Sequence, residues 1–319
     1  MTIGEFELIG RFFTGRGARR GDVRFGVGDD AAVVAPAAGT ELVLALDTIV
    51  AGIHFPADMA PRAVGHRALA VNLSDIAAMG AEPAWALLGL TLPAADEAWV
   101  AEFAHGLDGL ACRHGVALVG GDTTRGPLAA SLTLAGTVPA GRALLRSGAR
   151  AGDDVWISGT PGDAGAGLAV LQGALRAPGG AREELLRRFL LPEPRVTLGL
   201  ALQGLASACI DVSDGLAGDL GKLCAASGVG AAIDAQALPL SPALLAAAGA
   251  EGAIRFALTA GDDYELLFTA PAGARAAIGA LAAGVDCRRI GEVTAGGGVA
   301  VLGAALPRDA GHGFDHFAQ

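Results

Sequence analysis

Short apolar runs that end on an aspartate, with glycine close by, recur along this chain and constrain its fold more than any other feature. Glu41 to Leu46 leads into Asp47, Val116 to Val119 into Gly120-Gly121-Asp122, and Ala208 to Val212 into Ser213-Asp214-Gly215, with Asp211 inside the run. Gly28-Asp29-Asp30 precedes the apolar Ala31 to Val34, and Gly261-Asp262-Asp263 precedes Leu266 to Thr269. Such runs read as buried strands. Strand ends pointing to one edge of a sheet would gather their carboxylates in a single cleft.

The remaining elements fill in around these strands. Pro61 to Met79 reads as a helix with proline in its first turn, and Asp96 to His114 as an amphipathic helix. Trp85 to Leu92 and Leu128 to Val138 read as strands, and a new unit begins near Gly141. There Val155 to Ser158 is a strand, Gly159 to Gly167 a glycine-rich loop, and the chain to about Leu175 a helix. Arg182 to Leu191 and Val196 to Ala206 are helical, Gly284 to Val301 closes a sheet, and Ala235 to Ala253 reads as a surface insertion or peripheral helix. This order is neither strict βαβ repetition nor strands alone. It predicts two α+β domains, residues 1–142 and 143–319, with mixed sheets and flanking helices.

Composition narrows the function. With 319 residues and 52% hydrophobic content the chain can build two real cores, and a net charge of −10 argues against a nucleic-acid partner. No apolar run reaches the roughly 18 residues of a membrane span, and Glu5, Glu7 and Arg11 interrupt any signal-like start. Cys112, Cys209, Cys224 and Cys287 form no CxxC pair and read as reduced, mostly buried thiols. A soluble cytoplasmic protein is expected.

Gathered carboxylates need cations. Two unit charges 4 Å apart repel by roughly 4 kcal/mol at an effective dielectric near 20. Hard divalent ions, meaning Mg²⁺, fit a set with no interleaved histidine or cysteine. Asp75 stands out because it sits in the apolar helical stretch ALAVNLSDIAAM, where a carboxylate needs a partner. Asp29, Asp153, Asp154 and Asp219 read instead as turn or cap residues.

Magnesium sites of this kind usually hold phosphates as well. The chain has no GxxxxGK[ST] loop, and its one lysine, Lys222, lacks that spacing. The lysine and HRD elements of protein kinases are missing too. Phosphate contacts would then fall to backbone amides at Gly120 to Thr124, to the Gly159–Gly167 loop ahead of a helix, and to Arg146.

Seven strings occur in order: GDDAAVV (28–34), DTIVAGIHF (47–55), ALAVNLSDIAAMGAEP (68–83), LVGGDTTRG (118–126), RSGARAGDDVWISGTPG (146–162), DVSDGL (211–216) and GDDYELLF (261–268). Together, and on to the closing GFDHF (313–317), they resemble the thiamine-monophosphate kinase family across essentially the whole chain. The wider superfamily shares its ATP-binding architecture with aminoimidazole ribonucleotide synthetase, selenophosphate synthetase and the hydrogenase-maturation carbamoyl dehydratase.

The resemblance implies transfer of the ATP γ-phosphate to thiamine monophosphate by a homodimer joined through its N-terminal domains. It implies metal ligation by Asp30, Asp47, Asp75, Asp122 and Asp211, with Asp214 in the same cluster, so that these aspartates act in catalysis through several Mg²⁺ ions. It puts Gly121, Asp122, Arg146, Ser213 and His105 at ATP, and His54, Asp262 and Phe314 at thiamine monophosphate.

Three departures stand out. Ala45-Leu46 replaces a hydroxyl pair common in relatives, His105 replaces a frequent tyrosine, and Asp262 replaces a frequent glutamate. The rival branches fit less well. A selenophosphate synthetase needs an early reactive cysteine or selenocysteine and an early lysine, and the hydrogenase-maturation protein ends in a cysteine tail; this chain has none of these. A cyclo-ligase-like enzyme and an inactive nucleotide-binding relative complete the alternatives. The acceptor phosphate is already mostly dianionic at neutral pH, so the chemistry requires no general base.

Overall fold

The computed structural model describes residues 4–281 and 283–304, and residue contacts divide the chain into two compact units. The first comprises residues 1–76 with 81–141, the second 77–80 with 142–319.

In the first unit the elements run α1 (Glu5–Phe12), β1 (Val23–Phe25), β2 (Val33–Val34), β3 (Thr40–Val50), α2 (Pro61–Ala78), β4 (Glu82–Leu92), α3 (Glu97–Arg113), β5 (Ala117–Arg125) and β6 (Ala129–Pro139). Strands β3-β6-β4-β5 form a four-stranded sheet in that order, antiparallel except for β4 with β5. Residues 63–74 of α2 are buried all round, which is why this helix shows no apolar stripe. Glycine lets α2 and α3 cross with their backbones in contact: a Cβ on Gly65 would lie 2.0 Å from the Phe103 carbonyl, and one on Gly106 1.9 Å from that of Arg62. Asp96 caps α3, accepting from the amides of Ala98 and Trp99.

Two aspartates expected at strand ends lie inside strands. β3 continues past Asp47 because Thr48, Ile49 and Val50 keep pairing with β6, and β5 runs through Gly120-Gly121-Asp122 to Arg125 alongside β4. Threonine and the β-branched aliphatics favour the extended chain, so the acidic residue does not end the ladder.

The second unit contains β7 (Asp154–Ser158), α4 (Asp163–Leu171), α5 (Gly179–Leu190), α6 (Val196–Ala201), β8 (Ala208–Asp211), α7 (Leu216–Ser227), β9 (Gly230–Asp234), α8 (Pro242–Thr259), β10 (Leu266–Ala270), α9 (Arg275–Gly279), β11 (Cys287–Thr294) and β12 (Gly298–Leu302). Its six-stranded sheet has the order β12-β9-β11-β7-β10-β8, parallel only between β9 and β12. Val155, Ile157, Ile210 and Leu267 from the sheet pack with Leu220 and Leu223 of α7.

The Ala235–Ala253 stretch is not a peripheral insertion. Most of it belongs to α8, whose Leu244 and Ala253 are buried against α4 and α5 residues such as Ala166, Val170 and Leu185. Of the cysteines, expected to be mostly buried, Cys209 and Cys224 are buried, Cys287 is half-buried, and Cys112 is exposed. Among the described residues no helix is long and apolar enough to cross a membrane.

Candidate functional site

Each unit carries part of the candidate set. In the first, Asp30 is exposed in the loop after Gly28, and its amide donates to Asp29 Oδ1 at 2.9 Å, so Asp29 serves the turn itself. Asp47 is half-buried on edge strand β3, and Asp122 is exposed on the opposite edge strand, β5. The register sets Asp47, Leu132, Leu88 and Gly121 in one row across the sheet, with Asp122 one residue further on. Three strand spacings, about 14 Å, therefore separate the two carboxylate-bearing edges. A single Mg²⁺ with bonds of about 2.1 Å cannot be shared across that gap.

Gly121 has a structural reason to be glycine. It lies at φ 149°, and a Cβ there would come 2.0 Å from the Leu88 carbonyl oxygen. Asp75 is half-buried in the last turns of α2, flanked by the fully buried Asn72 and Ser74. His54 folds back onto its own turn, where Nδ1 accepts from the Val50 amide at 3.0 Å. An accepting Nδ1 leaves the ring proton on Nε2. His105 occupies the exposed side of α3, 3.4 Å from Glu102.

In the second unit β8 and β10 are neighbours, and the loops that continue them are stitched together. The Asp262 amide donates to the Ser213 carbonyl and the Tyr264 amide to the Val212 carbonyl, both at 2.9 Å. Asp211, Ser213, Asp214 and Asp262 are thus brought to one end of adjacent strands. Asp219 organises the first loop: its Oδ2 accepts from the amides of Ser213 and Asp214 at 3.1 and 3.0 Å. Those amides are spoken for, which leaves the Ser213 hydroxyl for a ligand. Lys222 Nζ bonds Asp214 at 2.5 Å and Asp219 at 2.8 Å. Burial pulls the lysine pKa down, but the two carboxylates more than offset it and the net shift is upward. Asp214 therefore already has a cation, a lysine ammonium.

Arg146 is exposed on the segment leading into β7. Ser227, at the end of α7, donates to its carbonyl at 3.0 Å and accepts from the Gly148 and Ala149 amides at 3.1 and 3.2 Å. Phe314 lies outside the described residues.

The Gly159–Gly167 loop departs from its expected role. Its helix-terminal amides, Gly162 and Ala164, already donate to the buried Asp263 at 2.5 and 3.1 Å, so an internal carboxylate holds the place a phosphate would take. Asp153 and Asp154 are structural: Asp153 serves the turn before β7 as expected, accepting from the Arg150 amide at 3.0 Å, whereas Asp154 lies inside β7 and is no turn or cap residue. Asp153 accepts from Ser207 at 2.6 Å, and Asp154, fully buried, pairs with Arg275 and Arg289.

The donor chemistry suits magnesium: Asp30, Asp47, Asp75, Asp122 and Asp211 offer hard carboxylate oxygens. Among the described residues no three histidine, cysteine or acidic side chains form a ready metal cage. Mg²⁺ is ordinarily held by one or two carboxylates together with substrate phosphates and water, so the set fits that mode of binding.

Residues 28–139 match the AIR synthase related protein N-terminal domain, and residues 150–303 the corresponding C-terminal domain. The thiamine-monophosphate kinase of Escherichia coli K12 is 46% identical over 100% of this chain and 99% of its own. The chain belongs to the thiamine-monophosphate kinase family. The Caulobacter vibrioides member is 40% identical, covering 92% of this chain and 85% of its own. The crystal structure of the Stenotrophomonas maltophilia K279a kinase superimposes with a TM-score of 0.85 at 49% identity, over 90% of this chain and 93% of that one. AaThiL complexed with AMPPCP and TMP gives 0.79 at 35% identity, over 91% and 92%. The hydrogenase maturation protein HypE of E. coli, at 23% identity and a TM-score of 0.73, shares the fold alone.

Within this kinase-family chain, motif reading missed the residues that organise the loops. Ser227 and the Asp214–Lys222 pair act through contacts that no spacing in the sequence reveals, whereas Asp219 and Lys222 stand three apart on α7, a helical spacing that could have signalled their pairing. Asp263, buried beside the half-buried Asp262, gave no signal of its own within the doublet.

Proposed function

We propose that this chain phosphorylates thiamine monophosphate, using ATP and Mg²⁺ and giving thiamine diphosphate by direct in-line transfer of the γ-phosphate. The full-length 46% identity with the E. coli thiamine-monophosphate kinase carries this reading. A relative solved with AMPPCP, an ATP analogue, together with TMP supports it.

The chain's own residues divide the work. Asp30, Asp47, Asp75, Asp122 and Asp211 would hold the ions that ride on the nucleotide, and Asp214 would join them by releasing Lys222. Several ions rather than one fit the separation of Asp47 and Asp122 across the sheet. Bound magnesium would cancel the repulsion between the acceptor dianion and the polyphosphate and stabilise the oxygens in transfer. Gly121, Asp122, Arg146 and the Ser213 hydroxyl would contact ATP, and the exposed His105 ring is available to its base.

His54 would face the substrate phosphate as a neutral Nε2–H donor. Its Nδ1 is engaged by Val50, so it is not set up as a base, and the dianionic nucleophile requires none. Asp262 would neutralise the thiazolium cation, and Phe314 would flank the organic rings.

A homodimer is part of this proposal. Edge strand β3 exposes Leu42, Leu44 and Leu46 at 50%, 67% and 64%, an apolar row that a second copy would cover. A cytoplasmic location accords with four cysteines outside any disulfide.

The test is product formation. Thiamine diphosphate is expected only when thiamine monophosphate, ATP and Mg²⁺ are all present. Its absence in the complete mixture, with folded protein, would refute the assignment.

A further inference from the structure

Two residues other than glycine adopt left-handed backbone among the described residues, Asp262 at φ 70° and Tyr264 at φ 52°, and both stand in one turn. Such conformations persist only where the surroundings over-determine them. The alternate residues, Asp263 and Glu265, are carboxylates buried to 1% and 0% exposure. Asp263 is tied to the first turn of α4 through the Gly162 and Ala164 amides. Glu265 accepts from Arg188 of α5 at 2.7 Å, from Arg195 at 2.7 and 2.5 Å, and from Ser158 of β7 at 2.5 Å. From its other side the turn grips the Asp211–Asp214 loop. Besides the two backbone bonds to Val212 and Ser213, Gly261 packs so close that a Cβ would lie 2.3 Å from the Ser213 carbonyl. Tyr264 Oη then donates to Asp262 Oδ1 at 3.2 Å.

We propose that Asp263 and Glu265 are positioning residues: anchored below, they lock the 261–264 turn in its left-handed form and so present the Asp262 carboxylate beside Ser213 to the cationic ring of the substrate. The proposal rests on the reading of Asp262 as a substrate-binding residue. Alternation is what makes the device work. Buried anchors at alternate positions, one after Asp262 and one after Tyr264, hold the two left-handed residues through the bonds that Asp263 and Glu265 make to α4, α5 and β7.

A double-mutant cycle tests it: wild type, Asp263→Asn, Asp262→Ala and the double variant, with thiamine monophosphate varied at saturating ATP and Mg²⁺. Asparagine offers one acceptor and one donor, so one of the two α4 amides loses its partner. Asp263→Asn should raise KM for thiamine monophosphate about tenfold while kcat stays within about twofold. In the Asp262→Ala background the same change should add less than about twofold, since its lever is already gone. An unchanged KM in Asp263→Asn, or the same factor in both backgrounds, would overturn the proposal.

Should Asp263→Asn not fold, thermal unfolding of Asp262→Gly against Asp262→Ala gives an independent test. Glycine accepts the left-handed backbone freely and should melt higher; an alanine variant melting as high would overturn the locked turn. If Asp262→Ala alone keeps its KM while product still forms, the positioning proposal fails and the kinase reading stands. No product from wild type would remove both.

Discussion

Glu265 is the carboxylate to perturb first, because its environment can be turned into a number. It is fully buried, and burial alone would raise its pKa. Hydrogen bonds and charge from Arg195 and Arg188, with a further bond from Ser158, more than reverse this and bring it from 4.5 to about 2. At about 1.36 kcal/mol per pKa unit, that depression is worth about 3 kcal/mol of folding free energy at neutral pH. Glu265→Gln removes the charge and leaves two guanidinium groups facing an amide inside the protein. Breaking a buried pair in this way costs about 3–5 kcal/mol, and the same loss is expected here at pH 7.

The sign with pH is fixed. The folded pKa lies below the unfolded one, so the stabilisation is fully present above about pH 4.5 and disappears as pH falls toward 2. The assay is urea unfolding followed by Trp156, which stacks on Phe268 with ring centroids 6.3 Å apart, in a background carrying Trp85→Phe and Trp99→Phe. The gap between wild type and Glu265→Gln should be constant above about pH 5, narrow as pH falls below about 4.5, and close only near pH 2. A difference below about 1 kcal/mol at pH 7, or one that does not change with pH, would refute the reasoning.

Asp75→Asn and Asp122→Asn should each lower turnover by about a hundredfold or more at saturating Mg²⁺ with circular dichroism unchanged, and normal rates in both would contradict metal ligation. Gly121→Ala should destabilise the first unit by about 1–3 kcal/mol in chemical unfolding, because its Cβ meets the Leu88 carbonyl across the β4–β5 pair. Leu44→Lys on the open row of β3 should move the mass in solution from a dimer to the 31.6 kDa of one chain, as measured by light scattering.

The candidate aspartates were conspicuous in the sequence because aspartate beside glycine stands out in an apolar background. Strand positions were legible for the same reason. Strand ends were not: Asp47 and Asp122 resemble terminators, yet pairing with β6 and β4 carries both strands onward. Alanine concealed α8, whose buried face has little side chain to stand out against its exposed one. Partnerships between distant elements were hidden. Nothing in GDDYELLF separates Asp262 from Asp263 until β10 is laid beside β7, α4 and α5, and the Gly159–Gly167 loop cannot be told from a phosphate cradle until Asp263 is seen occupying it.

Lys222 has a practical consequence. It is the chain's sole lysine, and its amine is clamped between Asp214 and Asp219. An acylating reagent applied at mild pH thus meets a single side-chain amine, and one held in its unreactive protonated form. Any cation that drew Asp214 away would loosen that grip, so the speed of labelling at one position becomes a built-in gauge of ion occupancy, readable by mass spectrometry without following turnover.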